Sequence, residues 1–216
     1  MPYRWVVGIF PCASMIERWD FMIVQVHRLA LLSLLGGLLA SCKALSVIPP
    51  EGVDRLSMTV TLDIEISGVG KDSIALEGSV TVHRSGPSGP DGRLMKGEMV
   101  GAIFHGRSAL FGDVYATQSP MASSPCTYRY VGPGQYHGYL EIQGWFWLPL
   151  SNLLVRTEAP VKVEGVAAAI PPVGQKAETM TRDIPLLDIH KPQSPPIGTL
   201  SRATGEIHAV IHMNGE

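Results

Sequence analysis

From Leu56 to Ile66 the chain alternates without a break: Leu56, Met58, Val60, Leu62, Ile64 and Ile66 are separated by Ser57, Thr59, Thr61, Asp63 and Glu65. Successive side chains of a strand point to opposite faces, so this run predicts a strand with one apolar and one wet face. A second run sets Ile74, Leu76, Val80 and Val82 against Glu77, Thr81 and His83. Gly68, Gly70 and Asp72 supply turn chemistry between the two runs, and together they predict an antiparallel hairpin. Ser85–Arg93 is a loop by composition. Further strands are expected at 97–105 and 108–117, divided by Gly106-Arg107, and at 136–148, 160–170, 180–188 and 204–213. A loop holding Pro120, Pro125 and Cys126 interrupts them. Nothing after Cys42 sustains a helical period. Short strands with turn residues between them predict an all-β domain: an antiparallel β-sandwich, or alternatively a β-barrel.

The pattern before Cys42 is different. Leu29 to Ala40 reads LALLSLLGGLLA, without a charge and behind the basic Arg28. Twelve such residues are too short for a membrane span of about 20 residues, but they suit the apolar core of a cleavable signal peptide. The segment ends in Leu39-Ala40-Ser41-Cys42, which resembles the lipobox of bacterial lipoproteins. That resemblance implies a lipid on Cys42, with cleavage just before it, and a membrane attachment stable enough to hold the domain at the cell envelope. Lys43 in place of aspartate leans toward the outer membrane in a Gram-negative host. Residues 1–21 carry Trp5, Pro11, Glu17 and Trp19 and do not read as the front of a signal peptide, whereas 22–41 do. The expected division is therefore 1–21 as an upstream extension, 22–41 as signal peptide, 42–54 as tether and 55–216 as one β-domain.

Composition narrows the function classes. The net charge is −2, with no basic stripe, which argues against a nucleic-acid partner. Of three cysteines, Cys12 precedes the cleavage site and Cys42 takes the lipid, which leaves Cys126 alone. One thiol can form no internal disulfide and no multi-cysteine zinc site.

Candidate chemistry is sparse. His208 and His212 stand four apart, but in an alternating segment both face outward about 13 Å apart, too far to share one metal ion. A metal would need His83, His105 or His137 brought in by the fold, so no metal or cofactor is expected. Cys126 in its Ser/Pro-rich loop reads as a bystander thiol, and Gly-x-Ser-x-Gly is absent. Asp63 and Glu65 share a strand face about 7 Å apart, as exposed strand carboxylates commonly do. No catalytic residue emerges.

Aromatic residues carry more. Seven of the ten after Cys42 lie between Tyr128 and Trp147. Alternation through YLEIQGWFWLPL puts Tyr139, Glu141, Gln143, Trp145 and Trp147 on one face, with Leu140, Ile142, Phe146 and Leu148 on the other. Tyr139, Trp145 and Trp147 thus form a candidate binding surface, suited to an envelope protein or a glycan; the alternative is that both faces are covered, with Trp145 and Trp147 closing one end of the core.

Several segments together resemble an uncharacterised family of β-rich domains in secreted and surface-attached bacterial proteins. They are the opening strand at 53–66, GSVTVHRSGP (78–87), GEMVGAIFHG (97–106), FGDVYATQSP (111–120), EAPVKVEGVAAAIPPVG (158–174) and IPLLDIH (184–190). The resemblance implies export and an all-β fold, and supplies no catalytic residue. The expected function is a lipid-anchored, non-catalytic binding or structural module. An apolar-ligand carrier within a β-barrel is the alternative, and a metal- or thiol-dependent hydrolase a more distant one.

Overall fold

The computed structural model describes residues 48–179 and 182–213. The expected signal peptide and Cys42 lie outside the described residues. Twelve strands follow in order: β1 (Gly52–Ile66), β2 (Gly70–Arg84), β3 (Leu94–Ser108), β4 (Gly112–Gln118), β5 (Pro125–Gly132), β6 (Gln135–Ile142), β7 (Gly144–Leu148), β8 (Leu153–Thr157), β9 (Val161–Ala167), β10 (Lys176–Glu178), β11 (Ile184–Asp188) and β12 (Gly198–Met213). All inter-strand ladders are antiparallel, and all twelve strands belong to one sheet. The all-β expectation therefore holds.

The β1–β2 hairpin is the element the alternation described best. It pairs from Gly52↔Arg84 to Ile66↔Gly70, with Gly68 and Gly70 at positive φ in the turn, where a side chain would be strained. β1 also takes in Gly52, Val53 and Asp54, which were expected in the tether. Asp54 of this stretch is buried against Arg84.

Pairings lead round the sheet and back to their start. One circuit runs β1–β2–β3–β4–β7–β8–β11–β12 and returns to β1, eight strands in all. A second leaves β3 by another edge and runs β1–β2–β3–β5–β6–β9. It crosses to β10 through the Val163–Thr179 bridge and returns by β12, again eight strands. These are the pairings of a closed sheet rather than of two separate facing sheets.

The long strands β1, β2, β3 and β12, of 15 or 16 residues, make this possible, because each serves both circuits. β3 pairs with β5 through 94–98 and with β4 through 103–108. β12 pairs with β11 through 198–200 and with β10 through 204–206. Where two partners diverge from one strand, backbone groups lose their ladder bonds, and buried ones must find other partners. Side chains provide them. Thr117 Oγ1 donates to the Ala102 carbonyl at 2.8 Å and Gln118 Nε2 to the Met99 carbonyl at 2.8 Å. Where β12 changes partner, the Ala203 amide donates to Thr179 Oγ1 at 3.1 Å.

Several boundaries differ from expectation. β3 runs unbroken through Gly106-Arg107, and the turn comes later, where Ser108 Oγ accepts the amides of Leu110 and Phe111. The expected strand 136–148 is two strands, β6 and β7, which belong to different circuits. Alternation continues across the junction because both keep the same side inward. Cys126 lies in β5 rather than in a loop, since Pro125 sits at the strand's first position, where a missing amide is tolerated.

Candidate functional site

In the circuit containing β4, β7, β8 and β11 the interior is filled. Phe111, Ile64, Leu148, Val114, Val155 and Leu186 are fully enclosed. The other circuit keeps the same inward alternation, but several inward residues remain half-buried: Met58 and Val60 of β1, Val82 of β2, and Leu140 and Ile142 of β6. The space they face is a cavity of about 490 Å³ that all five border. That volume lies in the range of small-molecule sites.

Glycine creates part of the room. Gly138 of β6 and Gly165 of β9 sit opposite one another on the cavity side. The Tyr128 ring lies over Gly138, where a Cβ would approach it to 2.9 Å. A Cβ on Gly165 would meet nothing within 4 Å. Met95, Tyr128, Ala167 and Ile170 of its lining belong to a small apolar group that also includes Ile48, Tyr130 and Tyr136.

The polar groups around this volume are few. Asp54, on the inward face of β1, forms a buried ion pair with Arg84 Nη1, and His212 Nδ1 lies 2.7 Å from the same carboxylate oxygen. Arg84 Nε is buried with no partner among the described residues. Cys126 borders the cavity, and burial, reinforced by the negative charges of Asp54 and Glu98, pushes its thiol up to about 11. It stays protonated at neutral pH and is a poor nucleophile. Burial likewise raises the Tyr128 phenol far above its ordinary range. Gln118 Oε1 is buried and lacks a partner among the described residues.

The histidines do not gather. A bulge places Ser57 opposite Ala209 but Met58 opposite Ile207, which changes the parity of β12 at His208. His208 therefore bonds Thr59 Oγ1 at 2.7 Å on the outer face, while His212 turns to Asp54. The expectation that both share the wet face is corrected. His105 lies 3.6 Å from Asp113 and His137 lies 3.0 Å from Glu164. Among the described residues no group of three or more His, Cys, Asp or Glu side chains is placed to hold a metal ion.

Tyr139, Trp145 and Trp147 are divided between the two circuits. The Tyr139 hydroxyl donates to Glu141, which also meets Lys162 at 3.1 Å on the outer face of β6 and β9. The Glu141 hydrogen bond raises the Tyr139 phenol, and the Tyr139 and Lys162 hydrogen bonds lower the Glu141 carboxyl. Trp145 is partly covered, with its Nε1 buried and unpartnered among the described residues. Trp147 is 49% exposed and stacks on Tyr115 at 5.2 Å, which in turn leans on His105 at 4.6 Å. Residues far apart in sequence built this row, so no local pattern announced it. The cavity was equally hidden, because its inward residues look like ordinary core.

The sequence profile of a family of unknown function, DUF6073, matches residues 46–214. The chain belongs to the DUF6073 family. A solved structure with the same architecture is DynF from the dynemicin biosynthesis pathway of Micromonospora chersina. It is 22% identical, with a TM-score of 0.69 over 76% of this chain and 82% of that one. At that identity the likeness is one of fold. No curated protein sequence matches the chain. The cavity of this DUF6073 member is therefore assessed on its own residues.

Proposed function

We propose that this protein is a non-catalytic carrier of a small apolar molecule, held at the cell envelope by a lipid on Cys42. The observation that carries the first part is the cavity of about 490 Å³, walled by Met58, Val60, Val82, Leu140 and Ile142. Burying apolar ligand surface there contributes about 25 cal/mol per Å². Among the described residues, the raised Cys126 thiol and the scattered histidines supply no activated nucleophile and no metal site. The lipobox at Leu39–Cys42 supports the second part, and the outer membrane is the preferred location in a Gram-negative host. A tethered carrier would take its ligand from, or deliver it to, a membrane or an envelope partner.

Two measurements test the two parts separately. Native mass spectrometry of the purified full chain should show one bound apolar molecule, and Gly165→Phe, at a cavity-bordering position where a Cβ meets nothing within 4 Å, should abolish it. If the unaltered chain neither retains nor accepts any apolar molecule, the carrier reading is wrong. Labelled fatty acid should be incorporated into the native chain and not into Cys42→Ala. Equal labelling of both would remove the anchor.

A further inference from the structure

The hollow circuit is not closed evenly. Among the described residues, β9 and β10 meet only at the Val163–Thr179 bridge, whereas every other junction of the circuit is a ladder of three or more residue pairs. Side chains do not reinforce the weak junction. Lys162 and Glu164 of β9 pair with Glu141 and His137 of β6, while Lys176 and Glu178 of β10 pair with Glu206 and Arg202 of β12. Among the described residues no ion pair joins β9 to β10. The loop between them is pinned on the β12 side, where Val173 bridges Ile207 and the Gly174 amide donates to the Ile207 carbonyl at 2.7 Å. The cavity reaches the surface at this same seam. Of the exposed residues that border it, all but Thr117 stand on β9 or β10: Glu164, Gly165 and Val166 on one side, Lys176, Ala177 and Glu178 on the other. Strands in a continuous ladder lie about 4.8 Å apart and leave no passage between them. Parting two strands costs the hydrogen bonds that join them, so the junction with one bridge yields first.

We propose that an apolar ligand enters and leaves the cavity between β9 and β10, which part at the Val163–Thr179 bridge while the rest of the hollow circuit stays paired. β9 moves with β6, to which its ladder and its ion pairs bind it, and β10 stays on β12. The inference rests on the carrier reading and adds to it the site through which the ligand exchanges.

The test staples the seam. Opposed residues of an antiparallel pair lie about 4.5–5.5 Å apart at Cα, a distance a disulfide spans. Val163→Cys combined with Thr179→Cys is oxidised to close the seam and reduced to reopen it. Glu141→Cys combined with Lys162→Cys, opposed within the β6–β9 ladder, is the control staple. Stopped-flow fluorescence of N-phenyl-1-naphthylamine, a neutral apolar dye, follows entry and release on the purified full chain. The oxidised seam staple should slow both by about tenfold or more and leave the affinity unchanged, because a gate alters rates and not the bound state. Reduction should restore both rates, and the control staple should leave them as in the unaltered chain. Unslowed exchange through the oxidised seam, or equal slowing by the control staple, overturns the proposal while leaving the carrier reading intact. A dye that does not bind the unaltered chain overturns the carrier reading itself. Should the seam variant fail to fold, Ala177→Cys, at an exposed position of the seam, is biotinylated and capped with streptavidin. The cap should slow exchange, and an unchanged rate overturns the proposal.

Discussion

Two circuits of strands share β1, β2, β3 and β12 and the same inward alternation, yet one is filled and the other hollow. In the filled half, Phe111 from the β3–β4 turn and Leu148 from the end of β7 reach the middle and are fully enclosed. In the hollow half, the facing positions on β6 and β9 are Gly138 and Gly165. Neither contributes a side chain. The difference shows that strand pairing and filling are separable: the shared strands hold the shape, and residue size on the private strands decides what the interior contains.

The largest consequence concerns stability. Phe111→Ala should cost about 3–5 kcal/mol in urea unfolding, because a close-packed interior loses both transfer energy and contacts. Val60→Ala, facing the cavity, should cost under about 1.5 kcal/mol, since its neighbours on that side are already few. Equal costs would erase the distinction between the halves.

Next in size is the ion pair at the cavity wall. Arg84→Leu leaves Asp54 buried with only His212 beside it, and should lower unfolding free energy by about 3 kcal/mol. A loss below about 1 kcal/mol would mean the carboxylate is better hydrated than its burial indicates.

Cys126 sharpens the contrast through pH. Its thiol moves from an ordinary 9.0 up to about 11 in the fold. Below pH 9 the thiol is neutral in both states. Above it the unfolded chain ionises first, so stability falls as pH rises through the window from about 9 to about 11. The urea midpoint followed across that window should fall less in Cys126→Ala than in the native chain. An identical fall would place the titration elsewhere.

The smallest effect belongs to the outer face. Tyr139→Phe removes one hydrogen bond to Glu141 and should leave the urea midpoint almost unchanged. A larger loss, read in the same urea titration, would indicate that the outer face of β6 and β9 is covered in the native protein.

Much of the architecture was legible in period-2 alternation. The β1–β2 hairpin follows directly from it, and so does the side of each strand that turns inward. Alternation records facing and not neighbours, so the run through Gln143 and Gly144 read as one strand although it changes circuit there. His208 was misplaced because a bulge shifts parity by one residue and leaves no mark in the apolar pattern. Of the candidate binding surface, Trp147 is exposed, but its partners Tyr115 and His105 come from other strands.

What the chain's residues determined alone is an antiparallel, all-β body, with the apolar side of its first hairpin turned inward, because side-chain direction is local to the strand. Whether that inside would be solid or hollow was decided only in three dimensions. A void is a property of which residues face one another across it, and Gly138 and Gly165 acquire their meaning from strands that close far apart in sequence.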